Sequence, residues 1–312
     1  MGMQPKTRQI LSYILWPAIL TVCIVATVFG FNSAHPMIAF NAIYFSLAAL
    51  LAYLEWKMPH EPQWRVDDGQ IFADIAHTLL SKGVVQGLLA FAGVFGLAAI
   101  VTSVTEPGYG IWPRDWPMWI QVILGLVAAE FGLYWAHRLS HEFHPLWRFH
   151  AVHHSVTRLH FINTGRFHFI NSLVSIAMGV GVLLALGAPM EVVLWLSAIT
   201  AYIGMLTHCN IEMNFFFPLS HIFNTPELHR WHHSKVLREG NKNYSENIMI
   251  WDLVFGTHFI DSKRRPPVKI GITQKMPEKF SEQLVWPFKD LSLKFKPYDR
   301  KPAPPTPPQA AE

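Results

Sequence analysis

The sequence predicts an all-α integral membrane protein with about four to six membrane-embedded helices and a cytoplasmic helical cap. Three observations predict this class. The 312 residues are 51% hydrophobic and only 15% charged, whereas soluble domains carry about 25% charged residues. Several apolar runs approach the roughly 20 residues that a helix needs to cross a bilayer. Fourteen of the 17 histidines lie between His137 and His258, mostly in the polar segments that follow these runs.

Apolar runs occur along the first two thirds of the chain. The fourth is interrupted by Glu130, and the last two surround Gly187-Ala188-Pro189, which predicts a helical hairpin. The runs cover residues 10–31, 38–54, 84–104, 118–136, 170–186 and 192–208.

Composition divides the chain into three parts. Residues 1–116 are predicted to form N-terminal membrane helices and loops. Residues 117–262 contain the histidine-rich part and are predicted to be the catalytic domain. Residues 263–312 are rich in Lys and Pro, and their end, 301–309, is predicted to be a disordered tail.

Basic residues predict the orientation, because Lys and Arg concentrate in cytoplasmic loops. Lys6 and Arg8 precede the first run, the loop after the third run holds only Arg114, and 15 of the 25 Lys and Arg follow Cys209. This pattern predicts that both termini and all the histidines lie on the cytoplasmic side of a multi-pass protein, in the cell inner membrane if the source is bacterial. The net charge of +4 is therefore attributed to the excess of Lys and Arg in cytoplasmic segments, and no nucleic-acid partner is expected.

Eight histidines form three tight clusters. Residues three or four apart share one face of a helix, so each cluster can present two or three imidazoles in one direction. A lone histidine usually packs in a core, but this repeated spacing favours metal binding. The clusters are His137 and His141; His150, His153 and His154; and His229, His232 and His233.

Eight imidazoles exceed the needs of one ion, so the clusters predict a site for two metal ions. Structural zinc usually takes four ligands, often cysteines, whereas this chain has two cysteines. An all-nitrogen set favours two iron ions, which activate O2 and attack unactivated C–H bonds. No dinucleotide fingerprint, haem-attachment motif or ferredoxin cysteine pattern is present, so the electrons are expected from a separate carrier and an NAD(P)H-dependent reductase.

The three clusters and their flanks resemble the membrane fatty acid hydroxylase/sterol desaturase superfamily. The resemblance covers about residues 118–260, including the segments Trp147–Ser155 and Thr225–His233 and the closing signature at residues 251–257. It implies that His208 is a further ligand and that His168, in Arg-Phe-His, is another. Some relatives have one more ligand at the position of Gly204. Glycine has no side chain that binds a metal, so the resemblance leaves this ligand unassigned here.

The predicted function is O2-dependent hydroxylation of a lipid C–H bond, in a fatty acyl chain, a sterol-like ring or a lipid head group. Desaturation is the alternative, because it uses the same metal site. A non-enzymatic metal-binding or transport protein is a third hypothesis, although transporters place their ligands near the bilayer midplane. Asp252 is interpreted either as a partner of a ligand imidazole or as a helix cap. Glu142 is interpreted either as such a partner or as a solvated charge.

Overall fold

The described structure consists of helices and the loops between them. It is a computed structural model that describes residues 4–94, 103–104, 108–215 and 218–289. Within these ranges the backbone forms three isolated β-bridges and no β-strand. The predicted all-α class is confirmed.

The six longest helices have 18 to 27 residues, and shorter helices form a cap beyond their ends. The long helices are α1 (Pro5–Phe31), α2 (Pro36–Lys57), α3 (Ile71–Val94), α4 (Met118–Glu142), α6 (Phe169–Leu186) and α7 (Met190–His208). The cap helices are α5 (His144–His154), α8 (Leu219–Ile222), α9 (Pro226–His232), α10 (Leu237–Gly240), α11 (Ile250–Val254) and α12 (Phe280–Val285). Three 3-10 turns cover Pro62–Arg65, Phe161–Gly165 and Trp286–Phe288.

Five described helices, α1, α2, α4, α6 and α7, are long and apolar enough to cross a membrane. They coincide with five of the six predicted runs, so the chain is a multi-pass membrane protein. The remaining run, 84–104, begins inside α3, and its residues 95–102 lie outside the described residues.

Helices α4 and α6 pack closely because glycines face the contact. A Cβ at Gly132 would lie 2.1 Å from the Met178 carbonyl oxygen, and one at Gly179 would lie 2.8 Å from the Leu133 side chain. Small residues of this kind let membrane helices approach each other. The predicted hairpin is present: α6 ends at Gly187 with φ 81°, and Pro189 precedes α7.

Helix ends fall into two layers. At one end, the Arg8 guanidinium binds Glu212 at 2.5 Å, and Pro59 pairs with Ile211, next to the end of α7. At the other end, Arg114 donates to the Gly187 carbonyl oxygen at 2.6 Å. The beginning of α1 therefore lies on the same side as the histidine-rich cap, as the charge pattern predicts.

Part of the Lys/Pro-rich segment packs on the cap. Ile270 is 1% exposed, and the Gln283 side chain contacts His77 Nε2 at 3.0 Å. Arg148 donates to the Pro287 carbonyl oxygen at 2.5 Å. The predicted disordered end, 301–309, lies outside the described residues, and the boundaries at 116/117 and 262/263 stay predictions.

Glu130 attaches the cap to α4. Its carboxylate accepts hydrogen bonds from the backbone N–H groups of residues 246, 247 and 248 and from Asn247 Nδ2, at 2.5–3.4 Å. The residue is fully buried, and the next cap helix is held by a bond from Trp251 Nε1 to the Val127 carbonyl oxygen at 2.9 Å. The acidic residue that interrupts the fourth run is thus a structural anchor.

Replacing Glu130 by Leu should destabilise the protein by about 3 kcal/mol or more, because several buried donors would lose their acceptor. Glu142→Leu is the matched control on the same helix. That side chain is 45% exposed and pairs with Arg138, so its removal should cost less than about 1 kcal/mol. Thermal unfolding of both purified variants in detergent measures the difference, and equal midpoints would contradict this role of Glu130.

Candidate metal centre

Nine buried histidines converge in two groups at the end of the membrane helices. Within each group the candidate ligand atoms lie within 4.8 Å of one another, and no ring is more than 7% exposed. The five-histidine group contains His137, His141, His150, His154 and His232. The four-histidine group contains His153, His208, His229 and His233.

Helix geometry divides the two three-histidine clusters between the groups. In α5, His150 and His154 are four residues apart and join the five-histidine group, while His153 turns to the other group. At the end of α9, the four-histidine group contains His229 and His233, whereas His232 belongs to the five-histidine group. Each cluster therefore contributes to both groups, because the adjacent residues i+3 and i+4 lie about 100° apart around a helix. The three rings of a cluster do not all point in one direction, as the spacing alone would allow.

Ring nitrogens approach each other closely inside both groups. His137 Nε2 lies 3.0 Å from His150 Nε2, and His229 Nε2 lies 2.8 Å from His208 Nε2. Metal–imidazole bonds measure about 2.0–2.1 Å, so two nitrogens that bind one ion at a right angle are about 3 Å apart. These separations fit two shared metal ions.

Oxygen atoms around the groups accept hydrogen bonds from the outer nitrogen of five rings. Such a bond fixes the tautomer and directs the Nε2 lone pair inward, as the outer partners of metal ligands do. The pairs are His137–Tyr244 O (2.6 Å), His141–Asn241 Oδ1 (3.2 Å), His150–Asn171 Oδ1 (2.7 Å), His208–Asn163 Oδ1 (2.9 Å) and His232–Lys242 O (2.8 Å).

Several buried ring nitrogens of the two groups make no hydrogen bond to any described residue. Examples are His232 Nε2 and His153 Nδ1, both buried. Buried polar atoms normally have partners, so a cluster of such nitrogens indicates that they serve a ligand of another kind. A metal ion accepts the lone pairs that the protein leaves unused.

Electrostatics favour the neutral, metal-binding form of the rings. Burial first, and neighbouring imidazoles second, hold the pKa of His150, His153, His154, His229, His232 and His233 well below the usual histidine value. Neutral imidazole is the form that binds metals.

His168 lies outside both groups. Its Nδ1 accepts a hydrogen bond from Ile170 N at 3.2 Å and caps α6, while Nε2 donates to the Leu284 carbonyl oxygen at 3.2 Å. The structure thus brings together nine of the ten predicted ligands, and the tenth binds protein groups through both nitrogens. The ligand roles themselves stay predictions.

Asp252 acts on the groups through the backbone. Its carboxylate accepts bonds from the N–H groups of Tyr244 (2.9 Å) and Ser245 (2.7 Å), and the Tyr244 carbonyl oxygen accepts the bond from His137. It therefore positions the loop whose carbonyl orients the candidate ligand His137. This role is neither a direct contact with a ligand imidazole nor only a helix cap, the two interpretations of the sequence. Glu142 makes an ion pair with Arg138 at 2.9 Å, so the solvated-charge interpretation applies to it.

No pattern in the sequence predicted the asparagines that bind the histidine rings. Asn163 lies in a 3-10 turn, Asn171 in the first turn of α6 and Asn241 directly after α10, without a repeat or fixed spacing. Asn171 could have been noticed as a polar residue in the first turn of an apolar run, but its partner, His150, lies 21 residues away.

A cavity of about 210 Å³ opens beside both groups. His137 and His150 line it from one group, and His208 and His229 from the other. From there it reaches Tyr44 on α2, Ser175 on α6 and Thr200 on α7, all within membrane-capable helices. Since Thr200 precedes His208 by eight residues, the cavity follows α7 for roughly 12 Å at 1.5 Å per residue.

Two histidine groups that could each hold a metal ion line a cavity between membrane-capable helices. This arrangement is typical of a membrane-embedded metalloenzyme, and the comparisons identify the family. The fatty acid hydroxylase family profile matches residues 122–257. The ornithine lipid hydroxylase OlsE of Rhizobium tropici is 53% identical over 281 residues, 89% of this chain and 84% of that protein. The alkylglycerol monooxygenase of Homo sapiens is 28% identical over 74% of this chain, which spans about half of that protein.

The chain belongs to the membrane fatty acid hydroxylase/sterol desaturase superfamily. The predicted resemblance and the predicted enzyme class, a membrane-bound oxidoreductase of the lipid hydroxylase type, are confirmed. No solved structure matches the chain.

Metal content should distinguish ligands from other histidines. The purified protein should hold about two metal ions per chain, and His153→Ala should lose the ion of the four-histidine group. His168→Ala should keep both ions, because His168 lies outside the groups. Elemental analysis of anaerobically purified protein gives the stoichiometry. One ion lost from His168→Ala, with His153→Ala unchanged, would refute the assignment.

Proposed function

We propose that this protein hydroxylates an ornithine-containing lipid at a C–H bond, with two iron ions, O2 and electrons from outside the chain. The observation that carries the proposal is the cavity, because it joins both histidine groups to a path between membrane helices. The 53% identity to an ornithine lipid hydroxylase supports the choice of substrate.

The nine grouped histidines would hold the two ions, five rings on one and four on the other. When bound, such a pair supplies the O2 activation that breaks an unactivated C–H bond. The protein's own part is to hold the rings neutral and aligned through their carbonyl and amide partners. Burial of every ring keeps bulk water from the reacting centre.

The cavity would position the lipid. Its walls on α2, α6 and α7 are within the membrane-capable helices, so a lipid can enter while its acyl chains stay in the bilayer. Gly204 lines this path, and a Cβ there would lie 3.2 Å from Thr164 Oγ1. The position where some relatives have another ligand therefore contributes space in this chain.

Hydroxylation is favoured over desaturation by the relatives, which are named a hydroxylase and a monooxygenase. The transport hypothesis is disfavoured by geometry. The histidine groups form at the ends of α4 and α7 and in the cap, whereas transporters bind their ions near the bilayer midplane.

Electrons would come from a separate carrier and an NAD(P)H-dependent reductase. Insertion of one oxygen from O2, with reduction of the other to water, needs two external electrons. An acidic carrier would suit the basic part of the cap, where docking would be weak and sensitive to salt. This region comprises Lys235, Arg238, Lys242 and Lys263 to Arg265.

The histidine-rich cap would face the cytoplasm, from the inner membrane if the source is bacterial. Lys6 and Arg8 lie at the cap end, and Arg114 is the one basic residue in the loop after the third run. The positive-inside bias supports this orientation.

A reconstituted assay tests the reaction. Protein in nanodiscs with ornithine lipid, O2, NAD(P)H, a carrier and a reductase should form a product heavier by one oxygen atom over many turnovers. Omission of the reductase should stop turnover, because the chain lacks a recognisable flavin or nicotinamide motif. A product lighter by two hydrogens would instead identify a desaturase, and sustained turnover without reductase would refute the need for a partner.

Thiol labelling tests the orientation. The two native cysteines, Cys23 and Cys209, are buried, so an introduced cysteine should dominate the signal. With a membrane-impermeant reagent outside intact cells, Tyr109→Cys should react and Lys263→Cys should not, since they lie at opposite ends of the molecule. The reverse pattern would overturn the cytoplasmic assignment.

A further inference from the structure

Three neighbouring side chains give the cavity a wall of hydrogen-bond acceptors. Asn224, Ser245 and Glu246 line it together with His137 and His229. Asn224 and Ser245 are 2% and 0% exposed, and Glu246 is partly buried. We call these three side chains the acceptor group.

Two oxygen atoms of the acceptor group are buried without a partner. Asn224 Oδ1 and Ser245 Oγ make no hydrogen bond to any described residue. The amide nitrogen of Asn224 is already engaged, because Nδ2 donates to the Ser245 carbonyl oxygen at 2.8 Å. The amide is therefore held with its oxygen available, and a buried acceptor of this kind costs stability unless a ligand donates to it.

The backbone of the acceptor group is held by two buried carboxylates. Ser245 N donates to Asp252 at 2.7 Å, and Glu246 N donates to Glu130 at 2.5 Å. The Asn224 N–H donates to the Asn247 carbonyl oxygen at 2.9 Å. Ser245 and Glu246 thus lie on a loop that is held by buried carboxylates, and Asn224 is bound to that loop. The acceptor group therefore has the fixed backbone that a specific binding site requires.

The charge of the cavity selects a cation. Among the described residues that line it, Glu246 is the one carboxylic acid, and none is Lys or Arg. Burial raises the pKa of Glu246 to about 7. A carboxylate in such surroundings is stabilised by a positively charged partner, and among the described residues Glu246 forms no ion pair.

We propose that the acceptor group binds the primary ammonium of the lipid head group and selects aminolipid substrates. An ammonium has three N–H donors and no acceptor, which matches a carboxylate, an amide oxygen and a hydroxyl oxygen. The side chain of ornithine ends in a primary amine, which is protonated at neutral pH like that of lysine. The inference rests on the proposed function, because it assigns the head-group contacts of that reaction.

Phosphatidylethanolamine also carries a primary ammonium, so the test must separate the lipid sources. The metal-loaded protein is placed in nanodiscs, and bound lipid is quantified by native mass spectrometry. Four lipids with matched acyl chains are compared: ornithine lipid, ornithine lipid acetylated on its side-chain amine, phosphatidylethanolamine and phosphatidylglycerol.

Wild-type protein should prefer ornithine lipid over its acetylated form by roughly tenfold or more, as expected for a charge-assisted hydrogen bond. Glu246→Gln should reduce this preference to near unity, and Ser245→Ala should weaken it by a smaller factor. Glu191→Gln, at the exposed start of α7, is the control and should keep the wild-type preference. Binding of phosphatidylethanolamine as tight as that of ornithine lipid would support a site for any primary ammonium.

An unchanged preference in Glu246→Gln would overturn the inference, and Glu246→Asp guards against a folding defect. It keeps the carboxylate on a side chain one methylene shorter, so it should retain more of the preference than Glu246→Gln does. Hydroxylation of ornithine lipid with no preference for the free amine would reject the acceptor group but keep the proposed function. Preferential binding through Glu246 without any hydroxylated product would reject the proposed function alone.

Discussion

Convergence of nine neutral imidazoles is the constraint on which the rest of the structure depends. Lone pairs about 3 Å apart repel each other unless a cation or a proton lies between them, and burial disfavours the proton. The rings must therefore be held in place by the surrounding protein before a metal binds. Rigid helix ends, α4 and α7 from the membrane and α5 and α9 from the cap, supply that support.

Polar groups inside the protein connect the cap to the membrane helices. Glu130, in the middle of α4, binds the backbone of residues 246–248, and Asp252 binds the next two residues towards the N-terminus. The loop between these two carboxylates contains the carbonyl that orients His137 and two members of the acceptor group, Ser245 and Glu246. One short loop thus connects the histidine groups to the cavity wall. Its bonds to Glu130 explain why an acidic residue is tolerated in an apolar helix.

Lipid chemistry requires that a polar centre meet a substrate that stays in the bilayer. The structure meets this need by placing the histidine groups just beyond the apolar part of α7 and opening the cavity along that helix. Small side chains on the path, including Ser175 and Gly204, leave room between helices that are otherwise tightly packed. The same packing would therefore give a lipid a path from the membrane and keep water from the rings.

The sequence by itself determined the helical membrane class, five of the spans and the histidine spacing, because apolar length and the i, i+4 repeat are local properties. Tertiary structure alone decided which ring joins which group. His153 and His154 are adjacent in the chain and belong to different groups, since a step of one residue turns a helix by about 100°. It also decided that His168 caps a helix and that Asn163, Asn171 and Asn241 orient the rings. The three asparagine contacts join residues 21 to 100 positions apart, a separation at which local patterns carry no information.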